Sequence, residues 1–229
     1  MTDTQAITFL NWIQLCDSAF PSGRFVHSNG LEAWLAGNPG ARERDIATVA
    51  QAYVSESVTT LDAVALAWAW THDHLDDSLV LDRALSAHKL SESGRLSSTA
   101  CGRQLALVAQ RVLSPTSSSD YLTHVLASQA PGNQAVVEGI VHRRLGIDRH
   151  LAVLGFVRSS YSGLLSAAVR LGRAGPMWVQ QQLFDDRYFL ETCAERAIRT
   201  DWDDAMAFAP ELDIYAMQHE TNSSRLFTT

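Results

Sequence analysis

One lysine, Lys89, stands in 229 residues, and no glycine is followed two positions later by another. The first shortage removes the Gly-x-x-x-x-Gly-Lys-Ser/Thr phosphate loop, since Leu90 follows the lysine; the second removes the dinucleotide fingerprint. Neither Cys-x-x-Cys nor His-Glu-x-x-His occurs, which takes away the common zinc and thiol-redox signatures. The cysteines number only 3 and lie far apart at Cys16, Cys101 and Cys193, so a disulfide framework is not expected and a reducing compartment is. Positive charge is scarce as well. Lys and Arg total 18 against 25 Asp and Glu, for a net charge of -7, and a nucleic-acid partner is not expected without clustered cations. The opening Met-Thr-Asp-Thr-Gln has neither the basic nor the apolar region of a secretion signal, so the expected location is cytoplasmic.

What the chain does contain is apolar helix. It is 46% hydrophobic and 19% charged, well outside the composition of disordered chains. Its organising stretch runs from Asp148 to Gly172, where Asp148 suits an N-cap and Gly172 a left-handed C-cap. Apolar residues fall on nearly every side between them, as in a helix surrounded by others. Gly155, Ser159, Gly163 and Ala167 recur every fourth position, a small-residue stripe against which another helix can pack closely. The stretch is long enough to span a bilayer, but Arg158 near its middle, its serines and the lack of a second such segment point to a soluble core helix and no membrane.

Around it the sequence predicts an all-α, single-domain bundle of about ten helices. Ala6–Leu15 carries Phe9, Leu10 and Ile13 on one face. Arg42–Ser57 and Leu61–His74 follow, divided by the β-branched Val58-Thr59-Thr60. Later helices are expected over Leu79–Leu90, Ala106–Leu113, Tyr121–Ala130 and Gln134–Leu145, with another from Pro176 that breaks near Phe184–Arg187. Residues 1–209 form the helical domain in this reading and 210–229 a C-terminal tail. That tail holds Leu212, Ile214, Tyr215, Met217, Leu226 and Phe227, too apolar for an idle terminus. It folds back on its own domain or orders against a partner.

Two stretches invite chemistry. His72-Asp73-His74-Leu75-Asp76-Asp77 looks like metal chemistry, because His72 and Asp76 share a face if the run is helical. Two ligands do not close a site, and a turn at a helix end explains the same residues. The other stretch is Asp17-Ser18-Ala19-Phe20-Pro21-Ser22-Gly23-Arg24-Phe25-Val26-His27-Ser28-Asn29-Gly30-Leu31-Glu32, between two helices. His27 with Ser18 or Ser28 and Asp17 can be drawn as a hydrolytic triad, but Gly-x-Ser-x-Gly is missing. Pinning the loop, or meeting a partner, are its other readings.

This second stretch resembles the N-terminal signature of the UreF family of urease accessory proteins, roughly Asp-Ser-Ala-Phe/Leu-Pro-x-Gly-Gly-Phe-x-His-Ser-x-Gly-Leu-Glu. Arg24 stands where the family has its second glycine. The chain end, Pro210-Glu211-Leu212-Asp213-Ile214-Tyr215-Ala216-Met217-Gln218-His219-Glu220-Thr221-Asn222-Ser223-Ser224-Arg225-Leu226-Phe227, resembles the family's tail at nearly every fixed position. Tyr215, Ala216 and Ser223 depart from it, and Pro176-Met177 replaces the family's usual Gln-Thr.

The resemblance implies a non-enzymatic, homodimeric scaffold without a cofactor of its own, required for GTP-dependent nickel insertion into apo-urease. Its implied partners are a UreD-type protein (also called UreH) and the UreG-type GTPase. Implied partner-binding residues are Ile214, Tyr215, Met217, His219, Glu220, Arg225, Leu226 and Phe227. The signature residues Asp17, Ser18, Pro21, Gly23, His27, Ser28 and Glu32 shape the face beneath them or a dimer contact. The alternative is a helical metal-dependent enzyme, since Asp73, Asp76 and Asp77 resemble, in reversed order, the aspartate-rich motif with which isoprenoid synthases hold magnesium.

Overall fold

In the computed structural model, which describes residues 3–113, 119–219 and 226–227, the chain winds into twelve α-helices, with no strand among the described residues. They are α1 (Asp3–Cys16), α2 (Leu31–Gly37), α3 (Glu43–Tyr53), α4 (Ala63–Thr71), α5 (Leu75–His88) and α6 (Glu92–Val108), followed by α7 (Asp120–Leu126), α8 (Gln134–Arg144), α9 (Arg149–Arg170), α10 (Pro176–Asp185), α11 (Arg187–Arg199) and α12 (Pro210–His219). The all-α class is as the apolar periodicity requires.

The organising helix is α9. The Asp148 carboxylate accepts from the amides of His150 (2.8 Å) and Leu151 (3.4 Å), satisfying donors that the first turn leaves free. At its other end Gly172 takes φ 68°, and the Arg173 amide donates back to the Ala168 carbonyl, 2.9 Å away. Helices α1, α2, α3, α4, α8, α10 and α11 all touch α9. Its Tyr161 is buried and donates its hydroxyl to Asp186, 2.5 Å away, at the break between α10 and α11.

The small-residue stripe does less packing than expected. Gly155 does admit a neighbour: a Cβ there would lie 2.9 Å from both the Cys16 sulfur and the Trp12 ring nitrogen of α1. Gly163 faces open space instead. Close helix crossings occur elsewhere, where α8 meets α4 and α6. A Cβ on Gly139 would sit 2.5 Å from the Leu66 carbonyl, and one on Gly102 would sit 2.0 Å from the Gly132 carbonyl.

The expected break at Val58-Thr59-Thr60 is absent. Helix α3 runs through a π-helical segment, Val54–Asp62, straight into α4. The β-branched run costs only a little helix propensity, and the burial of Val58, Thr59 and Thr60 against the core outweighs it. Wide winding leaves main-chain carbonyls open. Glu56 O accepts from the Phe208 amide (2.8 Å), and Thr60 O from the Met206 amide (3.0 Å). The strip before α12 is thereby fixed to the middle of the bundle.

A buried anion that the sequence reading overlooked holds the turn before α8. Asp82 is fully buried, and its carboxylate accepts from the amides of Gly132 (2.7 Å) and Asn133 (2.8 Å) and from the Asn133 side chain (2.7 Å). Three charge-assisted bonds compensate its desolvation.

Replacing Gly139 by Ala forces a methyl group onto the α4 backbone. The expected loss is about 2–3 kcal/mol in urea denaturation, since neither backbone can move aside cheaply.

Candidate functional site

The two stretches singled out at opposite ends of the sequence meet in the structure. Gly30, at φ 84°, precedes α2 and lies directly under α12; a Cβ there would be 2.5 Å from the Leu212 carbonyl and 2.9 Å from the Ala216 amide. No side chain fits, and no L-residue adopts that φ comfortably. One turn on, the Trp34 indole donates to Glu211 (2.6 Å), and the Asn38 amide reaches the Tyr215 hydroxyl (3.4 Å). Glu32 supplies the strongest tie. Its carboxylate accepts from the amides of Leu226 (2.7 Å) and Phe227 (3.0 Å), so an acidic side chain of the signature caps the end of the tail. Phe227 is 2% exposed, with the Arg170 guanidinium 4.1 Å from its ring centre.

The tail residues thus divide. Leu212, Ala216 and Phe227 are buried against the rest of the chain, and Leu212 and Phe227 join the common apolar core. Phe227, expected to face a partner, is occupied within its own chain, and Tyr215 is half-buried. Ile214, Met217 and Leu226 face outward, Leu226 at 66% exposure. His219 closes α12, while Glu220 and Arg225 lie outside the described residues. Sequence reasoning missed Met206 and Phe208, which point outward between the buried Ala205 and Ala209. Their alternation with three alanines, Ala205, Ala207 and Ala209, was the available signal. On α1 Phe9, Leu10 and Ile13 share one face as expected, and that face is exposed; Trp12 carries the inward contact by donating to the Leu151 carbonyl (2.9 Å).

In the signature loop the residues hold the backbone rather than one another. The Asp17 carboxylate accepts from the Ala19 amide (2.8 Å), and Gly23 takes φ 82°. Ser18 and Pro21 are exposed. Ser28 is fully buried, and its hydroxyl accepts from the Glu32 amide (3.5 Å). His27 is half-buried, and burial lowers its pKa. The bonds described at Asp17 and Ser28 are accepted from main-chain amides, not arranged as a relay of the triad kind. Arg24 needs no glycine at its position, for it sits in a short 3₁₀ turn, Arg24–Val26, without positive φ. Its guanidinium pairs with Glu138 of α8, whose carboxylate is almost fully buried.

The His72–Asp77 run is a turn between α4 and α5, so His72 and Asp76 do not share one helix face. His72 stacks on Trp68, with ring centres 4.1 Å apart and its Nδ1 3.1 Å from the Trp68 carbonyl. Asp73 is engaged by Arg144 at 2.7 Å. The N-cap of α5 is His74 rather than an aspartate, and Asp76 and Asp77 lie in the first turn. No group of three or more His, Cys, Asp or Glu side chains is placed to hold a metal among the described residues.

The first motif thus supports a tail whose outward side chains are apolar, a surface of the kind that marks protein-binding proteins. The comparisons say which. The UreF family model matches residues 41–185. A urease accessory protein UreF of Paenarthrobacter aurescens is 30% identical over 214 residues, covering 93% of this chain and 95% of its own length. Those of Lachnoclostridium phytofermentans (26% identical, 95% of this chain, 97% of the relative) and Brucella canis (UreF 2; 29%, 95% and 90%) are similar along nearly their whole lengths. The chain belongs to the UreF family of urease accessory proteins, and it is an accessory protein rather than an enzyme.

Two expected outcomes follow from this geometry. Replacing Glu32 by Ala leaves the Leu226 and Phe227 amides without their acceptor, and hydrogen exchange over 210–227 should quicken at least tenfold while exchange in α9 is unchanged. The second concerns His142 of α8, fully buried, its ring nitrogens without a hydrogen bond and Nε2 4.0 Å from Glu138. Burial lowers its pKa from 6.5 to about 4, against the upward pull of Glu138. Between those values the unfolded chain binds a proton that the folded chain refuses, so stability falls as pH drops through the window. His142→Met should reduce the loss in unfolding free energy between pH 7 and pH 4.5 by about 2 kcal/mol in urea titrations.

Proposed function

We propose that this protein is a cytoplasmic, homodimeric scaffold in GTP-dependent nickel insertion into apo-urease, bridging a UreD/UreH-type protein and a UreG-type GTPase. Membership of the urease accessory family carries the reading. Nickel is cargo in this scheme and the GTPase supplies the phosphate loop that the chain lacks. The scaffold's contribution is placement.

The tail surface is the docking element for the UreD/UreH-type partner. Ile214, Met217 and Leu226 are exposed on it, with Met206 and Phe208 on the strip leading into it. Large apolar side chains held outward on an ordered backbone are what a partner can bury with little further loss of chain entropy. Glu32 and Gly30 act beneath them as supports: they set where α12 lies and so where these side chains point. The exposed Phe9, Leu10 and Ile13 of α1 form a second apolar face, assigned to the dimer contact or to the same partner.

The test is co-elution with UreD/UreH-type and UreG-type proteins. The full chain should form a ternary complex, and a chain ending at Ala209 should fold yet fail to bind the UreD/UreH-type partner. Ile214→Ala combined with Met217→Ala should weaken that binding roughly 10- to 100-fold, as for apolar anchors at an interface centre. Equal binding by the full and truncated chains would assign the tail to the monomer alone.

A further inference from the structure

Beside α9 lies a cavity of about 500 Å³, bounded by the start of the signature loop and by α10. The open side of Gly163 faces it, and Ser159, Ser162 and Ser166 line the same wall at helical spacing. These three hydroxyls make no hydrogen bond among the described residues. Serines inside helices commonly turn back onto the carbonyl four residues earlier. Ser160, one position round the helix, does so, donating to Phe156 at 2.9 Å. The row facing the cavity is left with its donors available.

The charged side chains of the lining are three arginines and one aspartate. Arg158, Arg170 and Arg24 line the cavity. Arg158 makes neither a hydrogen bond nor an ion pair among the described residues, and the buried Nε of Arg24 has no hydrogen-bond partner. The acidic member of the lining, Asp17, already accepts from the Ala19 amide. Cys16 adds no charge, because burial pushes its thiol pKa up to about 11. Arg24 is already paired with Glu138, which leaves Arg158 as the guanidinium beside the serine row in a chain whose net charge is -7.

We propose that this cavity binds an oxyanion group, held by the Arg158 guanidinium and the hydroxyls of Ser159, Ser162 and Ser166. The chemistry is that of a phosphate, sulfate or carboxylate, whose several acceptor oxygens match several donors, the lining's carboxylate at Asp17 being engaged by the Ala19 amide. The volume leaves room for more than the bare ion, so the group belongs to a small molecule or to an acidic side chain of a docked segment. This site adjoins the tail through Arg170, which also stacks on Phe227, but it does not depend on the partner assignment above.

The probes are inorganic phosphate and acetate, titrated at constant ionic strength against chloride into the full-length protein. Amide and arginine side-chain NMR shifts report occupancy. Saturable shifts confined to residues around 158–166 are expected. Arg158→Gln or Ser162→Ala should weaken binding about tenfold, and Ser162→Leu, which fills the cavity, should abolish it while helical content is unchanged. Arg158 is exposed, so its variant tests the site without endangering the fold. Tighter binding of phosphate identifies a tetrahedral ligand, and tighter binding of acetate a carboxylate; both support the site. Shifts that do not saturate, or that persist equally in Arg158→Gln and Ser162→Leu, overturn it.

Discussion

A main chain pressed against a main chain at Gly30 is the constraint on which the functional surface depends. Helix α12 can lie where it does only because position 30 has no Cβ, the nearest tail carbonyl being 2.5 Å from where one would stand. Around that contact the remaining ties are polar and directional: Trp34 to Glu211, and Glu32 to the amides of Leu226 and Phe227. Burying Leu212, Ala216 and Phe227 provides the non-directional part of the attraction. The result leaves one side of the tail committed to the chain and the other free.

That division gives two motifs almost two hundred residues apart one structural task. Neither is a catalytic constellation. Asp17, Gly23, Ser28 and Glu32 set the backbone of a loop, and the loop sets the position of a helix. Arg24 shows how far such a system tolerates change. Positive φ falls on Gly23 rather than on residue 24, so an arginine is accommodated there, and its guanidinium meets a buried carboxylate on α8 that would otherwise need another partner.

Much of the architecture was legible because it is local. Caps at Asp148 and Gly172 and the break at Asp186 follow from periodicity and terminal residues. What escaped was decided by neighbours. The Val58–Thr60 run reads as a helix breaker until its burial is known. Asp82 reads as an ordinary surface acid on α5 and is in fact enclosed by the turn before α8. The small residues of α9 could not reveal which of them met a helix and which met a cavity, since both environments select for small side chains. Of the site, the identity of the tail was readable, and which of its side chains face outward was not.

The π-helical segment has a consequence for inheritance and repair. The π-helical winding over Val54–Asp62 carries the carbonyls of Glu56 and Thr60 that accept from the Phe208 and Met206 amides. The seat of α12 is therefore encoded in part some hundred and fifty residues earlier, in a segment most of whose residues are buried. A single-codon deletion there would restore an ordinary helix and spare the apolar composition, yet leave the tail misregistered. Defects in assembly can thus map to the deep interior of this fold as readily as to its surface.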